Sequence, residues 1–187
     1  RQCPRCRVGA ARTRSAIRNA DNKSVTEGNV GAGTGTICFG FKGGIGTSSR
    51  VLPKSAGGYS VGVLVQTNFG GVLQIDGVPV GESIKKFFMS QQLKDSADGS
   101  CMIVIATDAP VDFRNLERMA KRAMMGLAKT GGIASNGSGD YVIAFSTAES
   151  VRRTSASAAQ QVTQLGNEAM TPLFQAVAEA TEEAIYN

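Results

Sequence analysis

The sequence predicts a mixed α/β fold in one domain, and three observations support this. The 187 residues are enough for one domain with a sizeable core. Apolar residues make up 42% of the chain, and no low-complexity tract interrupts it. Short apolar segments typical of strands are separated by segments with helical periodicity, an alternation that is typical of layered α/β proteins.

Three strand segments are predicted before residue 82. Residues 37–41 are apolar and bracketed by glycines, which indicates a strand leaving a glycine-rich turn. Residues 59–68 are rich in β-branched side chains and form the clearest strand. Residues 72–80 predict a second strand or hairpin arm with Asp76-Gly77 as its turn. Residues 82–99 are polar and predict a connector.

After the connector, residues 102–107 form an apolar run that predicts a buried strand. Residues 112–129 are the best helix. Asp112 can cap its start, and Gly131-Gly132 can end it. Its apolar positions are Phe113, Leu116, Met119, Ala120, Ala123, Met124 and Leu127.

The last part of the chain predicts one more strand and a helical end. Residues 141–147 are apolar and of strand type. Residues 160–186 predict helix in two pieces, with Pro172 opening the second because proline is tolerated in the first turn of a helix.

The net charge of +5 is concentrated at one end of the chain. Six of the 20 basic residues are arginines within the first 18 positions, which leaves 14 basic against 15 acidic residues elsewhere. A basic nucleic-acid-binding module remains one alternative function, but it requires basic and aromatic residues interleaved on the body. The body is nearly neutral, with no tryptophan and three tyrosines, so no nucleic-acid partner is expected.

Residues 1–16 stand apart as an atypical basic tail with almost no apolar periodicity. They are interpreted either as a non-native start or as a disordered basic tail. Residues 17–187 are expected to form a single domain, part of a longer protein. The chain has no run of 18 apolar residues, so no membrane span is expected, and no secretory signal is recognisable. Both the cytoplasm and the periplasm therefore stay open.

The four cysteines do not predict a metal site. Cys3 and Cys6 form a C-x-x-C pair, but a zinc site needs four ligands and the chain has no histidine. Cys38 and Cys101 lie in apolar strands and are interpreted as small core residues.

The glycine-rich segments do not predict a nucleotide site, and no cofactor is expected. Neither segment has the G-x-x-x-x-G-K-[ST] pattern, and the G-x-G-x-G run does not follow a strand in a βαβ unit. Close backbone approach or tight sheet packing is the better explanation of these glycines. Lys42 is interpreted as a solvated lysine. The glycines concerned are Gly31, Gly33, Gly35, Gly43, Gly44 and Gly46.

The junction Gly99-Ser100 stands between the polar connector and the apolar strand. A peptide bond before serine can be attacked by that serine's own hydroxyl, and hydrolysis of the resulting ester leaves serine as a new N-terminus. That residue then carries a nucleophile and, in its α-amine, a base with a pKa of about 7.7–8.0. A simple turn serine is the alternative. Cys101, a stronger intrinsic nucleophile, is expected to point into the sheet.

Two further places could carry chemistry. Ser138 and Asp140 lie in a glycine-flanked loop just before a strand, where a hydroxyl and a carboxylate two residues apart can face one point. Asn68 ends the clearest strand, where a side-chain amide could stabilise an oxyanion. For all three residues, a role in turns is the alternative.

The chain resembles the β-peptidyl aminopeptidase and L-aminopeptidase/D-amidase/D-esterase family over about residues 17–187. Four blocks in the right order carry the resemblance: EGNVGAGTG at 27–35, FKGGIGTSSR at 41–50, GSCMIVIATDAP at 99–110 and NGSGD at 136–140. The resemblance implies an α-β-β-α sandwich, with two sheets face to face and helices outside. It also implies that the chain is a fragment which lacks an upstream segment that helps to bind the substrate amine.

The resemblance also implies the roles of site residues. Ser100 would be the nucleophile for self-cleavage at Gly99-Ser100, which divides the chain into an α-chain part (1–99) and a β-chain part (100–187). Ser138 would contact the nucleophile, Asp140 would orient it, and Asn68 would be the oxyanion donor. Asp140 is shorter than the glutamate of some relatives.

The expected function is therefore a self-processing serine aminopeptidase. It would release N-terminal residues from short peptides, amides or esters through an acyl-enzyme on Ser100, without a metal and as a homo-oligomer of αβ units. An N-acyltransferase of the ornithine acetyltransferase type shares the fold and is the alternative among enzymes. It typically cleaves before threonine, which disfavours it here.

Overall fold

The computed structural model describes residues 9–86, 99–153, 159 and 161–187. Its centre is a four-stranded sheet, accompanied by a two-stranded ribbon and by helices. In chain order the elements are α1 (Ala10–Arg18), β1 (Ile37–Cys38), β2 (Phe41–Lys42), β3 (Ile45–Val51), β4 (Ser60–Asn68), α2 (Val80–Ser83), β5 (Ser100–Thr107), α3 (Phe113–Lys129), β6 (Tyr141–Ser146) and α4 (Thr171–Tyr186).

The large sheet has the order β3-β4-β5-β6. The strands β3, β4 and β5 pair antiparallel, whereas β6 runs parallel to β5. Side chains of β4 and β5 alternate between a buried face and a partly exposed face, as the period of two in a strand requires. The buried face carries Val61, Val63, Val65, Cys101, Ile103 and Ile105.

Helices α3 and α4 pack on the buried face of this sheet and against each other. The predicted helix cap is confirmed, because the Asp112 carboxylate accepts a hydrogen bond of 2.8 Å from the backbone N–H of Asn115. Met119, Ala123 and Leu127 of α3 reach the core. Phe113 does not: its side chain is 79% exposed although it fits the apolar periodicity.

Helix α4 packs so closely on strand β3 that the strand must have a glycine at the point of contact. A Cβ on Gly46 of β3 would lie 1.9 Å from the carbonyl oxygen of Ala184. The two helices cross at a second glycine, Gly126, where a Cβ would lie 2.5 Å from the carbonyl oxygen of Ala178. The contact at Gly46 agrees with the interpretation of the glycine-rich segments as sites of close backbone packing, whereas a Cβ on Gly31 or Gly35 would meet nothing within 4 Å.

The predicted α/β class is confirmed. Among the described residues, α3 and α4 cover one face of the large sheet, and the opposite face is open. The second sheet of an α-β-β-α sandwich would pack on this open face. Its side chains include Leu64, Met102, Val104, Ile143 and Phe145. No helix in the described part of the chain is long and apolar enough to cross a membrane.

Two of the predicted strands are wrong in detail. Residues 37–41 are not one strand but the hairpin β1–β2, because Phe39 and Gly40 have φ values of 51° and 75° and turn the chain. Residues 72–80 form no strand: they contain only a single bridge between Ile75 and Val78 around the expected Asp76-Gly77 turn. The chain then enters helix α2 at Val80, so the residues after the turn are too few to form the second strand of a hairpin.

Other elements were missed or misassigned. Strand β3 was not predicted, because its residues are mostly polar and it pairs at the sheet edge. Helix α1 was also missed, since all of its side chains are exposed and no apolar face marks it. Residues 161–166 are not helical, and only a short 3-10 turn (Asn167–Met170) precedes α4. Pro172 does open α4 as predicted.

Replacing Gly46 by alanine tests the close approach of α4 to β3. The new methyl group would overlap the Ala184 carbonyl, so we expect Gly46→Ala to lower the free energy of unfolding by about 1–3 kcal/mol. Gly166→Ala is the control, because a Cβ there meets nothing within 4 Å and φ is −68°. It should leave stability unchanged or raise it by up to about 1 kcal/mol. Equal midpoints for both variants in urea unfolding would contradict the close packing of α4 on β3.

Candidate active site

Ser100 is the first residue of the central strand β5. The register pairs its Cα with Asn68, the last residue of β4, so two of the predicted site residues are neighbours across the sheet. Both lie on the open face, because the alternation that buries Cys101 turns Ser100 the other way. The Ser100 side chain is therefore partly exposed, and its hydroxyl donates a hydrogen bond of 2.6 Å to the Gly99 carbonyl oxygen.

The Gly99 carbonyl accepts a second hydrogen bond, from the backbone N–H of Gly139 at 3.2 Å. Gly99 itself is buried, and a Cβ there would lie 3.0 Å from both the Asn68 carbonyl oxygen and the Phe69 Cα. The peptide bond before Ser100 is thus held in a narrow space, with its carbonyl polarised by two donors.

Ser138 and Asp140 form a pair directly beside this bond. The Ser138 hydroxyl lies 3.0 Å and 2.9 Å from the two carboxylate oxygens of Asp140, and it donates to this carboxylate. Gly139, which lies between them, donates its backbone N–H to the Gly99 carbonyl. Gly139 is also close to the Ser100 hydroxyl, because a Cβ on Gly139 would lie 3.6 Å from the Ser100 Oγ. The parallel pairing of β6 with β5 brings this loop to the start of β5.

Strand β1 fixes the chain around Asn68. The backbone N–H of Ile37 donates a hydrogen bond of 3.2 Å to the Asn68 Oδ1, which occupies the oxygen of the amide and leaves its NH₂ group as a donor. The backbone N–H of Phe39 donates to the Phe69 carbonyl at 3.0 Å. The Phe39 and Phe69 rings pack edge to face with centroids 5.1 Å apart.

Cys101 follows Ser100 but lies in the core with no exposed surface. Burial raises the pKa of its thiol to about 12, and the charge of Asp140 and the nearby Cys38 add to this effect. At neutral pH the thiol is therefore protonated, and a protonated thiol is a poor nucleophile. Cys38 is also buried, and burial raises its pKa to about 12 as well. Both cysteines are core residues, as predicted.

The other candidate positions do not join the site. Lys42 is exposed, and Gly33, Gly43, Gly44 and Gly46 are buried where backbones approach one another. Within the described ranges, no group of three or more His, Cys, Asp or Glu residues could hold a metal ion. Cys3 and Cys6 lie outside the described residues.

Sequence reasoning missed two contributors to the site, the backbone N–H groups of Gly139 and Ile37. A backbone donor leaves no mark in the identity of its residue. The only sequence signal was indirect: Gly139 lies in the NGSGD segment, between two residues that were already candidates.

A hydroxyl at the start of a central strand, next to a hydroxyl–carboxylate pair and a side-chain amide, is an arrangement suited to serine-hydrolase chemistry. Comparison with known proteins agrees with this class. The chain belongs to Peptidase family S58, whose model matches residues 2–187. This range includes most of the arginine-rich segment that the sequence alone had set apart.

Three relatives illustrate the similarity. The chain is 44% identical to "Beta-peptidyl aminopeptidase BapA" of Sphingosinicella microcystinivorans, with 92% of this chain and 47% of that protein covered. The "Burkholderia sp. beta-aminopeptidase" structure superposes with a TM-score of 0.82 at 41% identity, covering 96% of this chain and 51% of the other.

The third is the L-aminopeptidase D-Ala-esterase/amidase of Ochrobactrum anthropi, described as a variant of the Ntn hydrolase fold. Its TM-score is 0.79 at 38% identity, and the match covers 94% of this chain and 47% of the other. The chain thus spans about half the length of the relatives that it matches.

Proposed function

We propose that the full-length protein is a self-processing serine aminopeptidase that releases N-terminal residues from short peptides, amides or esters. One observation carries the proposal: the Gly99 carbonyl accepts hydrogen bonds from both the Ser100 hydroxyl and the Gly139 N–H. The nucleophile is thereby beside the carbonyl that it would attack, and a donor is already directed at the oxygen that would become negative. Membership of Peptidase family S58 supports the reaction class.

In the self-cleavage step, the Ser100 Oγ bonds to the Gly99 carbonyl carbon and gives up its proton, which is the proton that the Ser100 nitrogen later takes up. The negative charge on the Gly99 oxygen is stabilised by the Gly139 N–H. The bond from the Gly99 carbon to the Ser100 nitrogen then breaks, and that nitrogen takes up a proton. Water hydrolyses the resulting ester, which leaves a carboxylate on Gly99 and a free α-amine on Ser100.

In turnover, the free Ser100 α-amine is the base, because its ordinary pKa of about 7.7–8.0 suits proton transfer near neutral pH. The Ser100 hydroxyl attacks the substrate carbonyl, the amine or alcohol leaves, and water releases the acyl group. The Asn68 NH₂ group donates to the oxyanion, since its oxygen is held by the Ile37 N–H. The Ser138–Asp140 pair orients Ser100 and assists the proton transfers.

Ser100→Ala in the full-length protein is expected to abolish both self-cleavage and turnover while the fold is retained, because only one partly exposed hydroxyl is removed. Intact mass and N-terminal sequencing measure cleavage, and release of p-nitroaniline from aminoacyl anilides measures turnover. Cys101→Ala is the matched control and should be cleaved and active. A Ser100→Ala protein that is still cleaved, or an inactive Cys101→Ala protein with an unchanged thermal midpoint, would contradict the assignment.

Asn68→Ala should separate the two reactions. Loss of the amide donor is expected to lower kcat by roughly 10²–10³ with a smaller effect on KM. Self-cleavage should continue, because its oxyanion donor is the Gly139 N–H. Gln66→Ala removes an amide from the same face of β4, two residues earlier, and should keep kcat. An unchanged kcat for Asn68→Ala would contradict the role of oxyanion donor and would leave Asn68 with only a structural role at the strand end.

Ser138→Ala and Asp140→Asn should each impair turnover, and the double variant should be hardly worse than the poorer single variant, because paired residues that act as a unit are not additive. The kcat values of the three proteins are compared with their thermal midpoints. If both residues only formed a turn, the midpoints would fall while kcat per folded molecule stayed constant. Strictly additive effects on kcat would also contradict the proposal that Ser138 and Asp140 act as a unit.

A further inference from the structure

We propose that Tyr141 is a specificity-determining residue whose ring forms one wall of the space that receives the side chain of the acyl group on Ser100. This inference rests on the proposed function and names a feature of the substrate that the same site would select. It concerns a residue that neither cleavage nor proton transfer uses.

The register of the sheet places Tyr141 on the same face as the nucleophile. Tyr141 is the first residue of β6 and pairs with Met102 of β5. Met102 lies two residues after Ser100 and therefore shares its face. Ser100, Met102 and Tyr141 are thus neighbours on the open face of the sheet, at the end of the strands where Asn68 also lies.

Gly139 gives the separation between the ring and the nucleophile. A Cβ at Gly139 would lie 3.2 Å from the Tyr141 ring carbon Cε2, 3.7 Å from the Tyr141 hydroxyl oxygen and 3.6 Å from the Ser100 Oγ. The ring and the nucleophile therefore flank the same small space. A glycine keeps that space free, and any side chain there would fill part of it.

The Tyr141 ring offers apolar surface at the strand end that holds Ser100 and Gly139. Tyr141 is the first residue of β6, so it lies at the border of the face that the second sheet would cover, whereas its neighbours Val142 and Ala144 pack against the core. A group bonded to the Ser100 Oγ would extend past the ring and cover part of it. Since burial of apolar area favours binding, the ring should favour acyl groups with large apolar side chains over small ones.

The test uses the full-length enzyme with pairs of anilides that differ only in the N-terminal side chain, leucyl against alanyl, in each backbone series that it accepts. The measured quantity is the ratio of kcat/KM for the large and the small substrate. We expect Tyr141→Ala to lower this ratio by about tenfold or more, because even one methylene group in a hydrophobic pocket changes discrimination by about 10–200-fold. Tyr141→Phe keeps the ring and should keep the ratio.

Phe145→Ala is the matched control. Phe145 is an aromatic residue on the same strand and the same face, 44% exposed, but it pairs with Ala106 at the far end of β5. Its replacement should leave the ratio unchanged. Should Tyr141→Ala fail to fold, Tyr141→Val removes the ring with a residue that favours strands.

Gly139→Ala gives an independent check, because its methyl group narrows the same space while the backbone N–H is kept. Gly139→Ala should also lower the ratio, because the methyl group leaves less room for the large side chain than for the small one. An unchanged ratio in folded Tyr141→Ala or Tyr141→Val, or an equal loss in Phe145→Ala, would overturn the inference while leaving the proposed function intact. Failure of the cleaved wild-type enzyme to hydrolyse any of the anilides would count against the proposed function itself, and so against both.

Discussion

The in-register pairing of β4 with β5 is the constraint on which the rest of the structure depends. It runs without interruption from Val61 opposite Thr107 to Asn68 opposite Ser100. Because one face of both strands is buried against helices, a slip of β4 by one residue would turn Val61, Val63 and Val65 to the open face and bury Gln66 and Asn68 instead. The same apolar packing that stabilises the sheet therefore also sets Asn68 beside Ser100. The site needs no separate device to bring these two residues together.

Backbone atoms supply a second part of the site's geometry, beside the side chains of Ser138 and Asp140. The Gly99 carbonyl, the Gly139 N–H and the Ile37 N–H belong to segments whose positions are fixed by strand pairing and by glycine contacts. A donor held in this way, such as the Gly139 N–H on the Gly99 oxygen, needs little reorganisation when charge develops on the oxygen that it contacts, which is the condition for strong electrostatic stabilisation. A donor on a flexible side chain would stabilise the charge less, because fixing that side chain costs conformational entropy.

The sequence was most informative where periodicity reports burial. Helix α3 could be predicted because one of its faces is apolar, β4 because it is rich in β-branched residues, and β5 because it is a continuous apolar run. Strand β3 could not, since a polar edge strand is defined by its partner and not by its own composition. For the site, Ser100 was found because it stands between a polar connector and an apolar strand, and Asn68 because it ends a predicted strand. The backbone donors of Gly139 and Ile37 were not found, because the hydrogen bonds that they make join residues that are distant in sequence.

Strand alternation also explains why the chemistry is assigned to a serine although a cysteine follows it. A thiol is intrinsically the stronger nucleophile. The Cys101 thiol is buried, however, and its pKa of about 12 means that it stays protonated until well above neutral pH. The raised pKa favours folding below the pKa of an unfolded thiol, about 8.5, and this contribution is lost as the pH rises towards 12. Ser100 lies one residue earlier and faces the other way, with its hydroxyl on the Gly99 carbonyl. Position on the strand, and not intrinsic reactivity, decides which of the two side chains reaches the open face of the sheet.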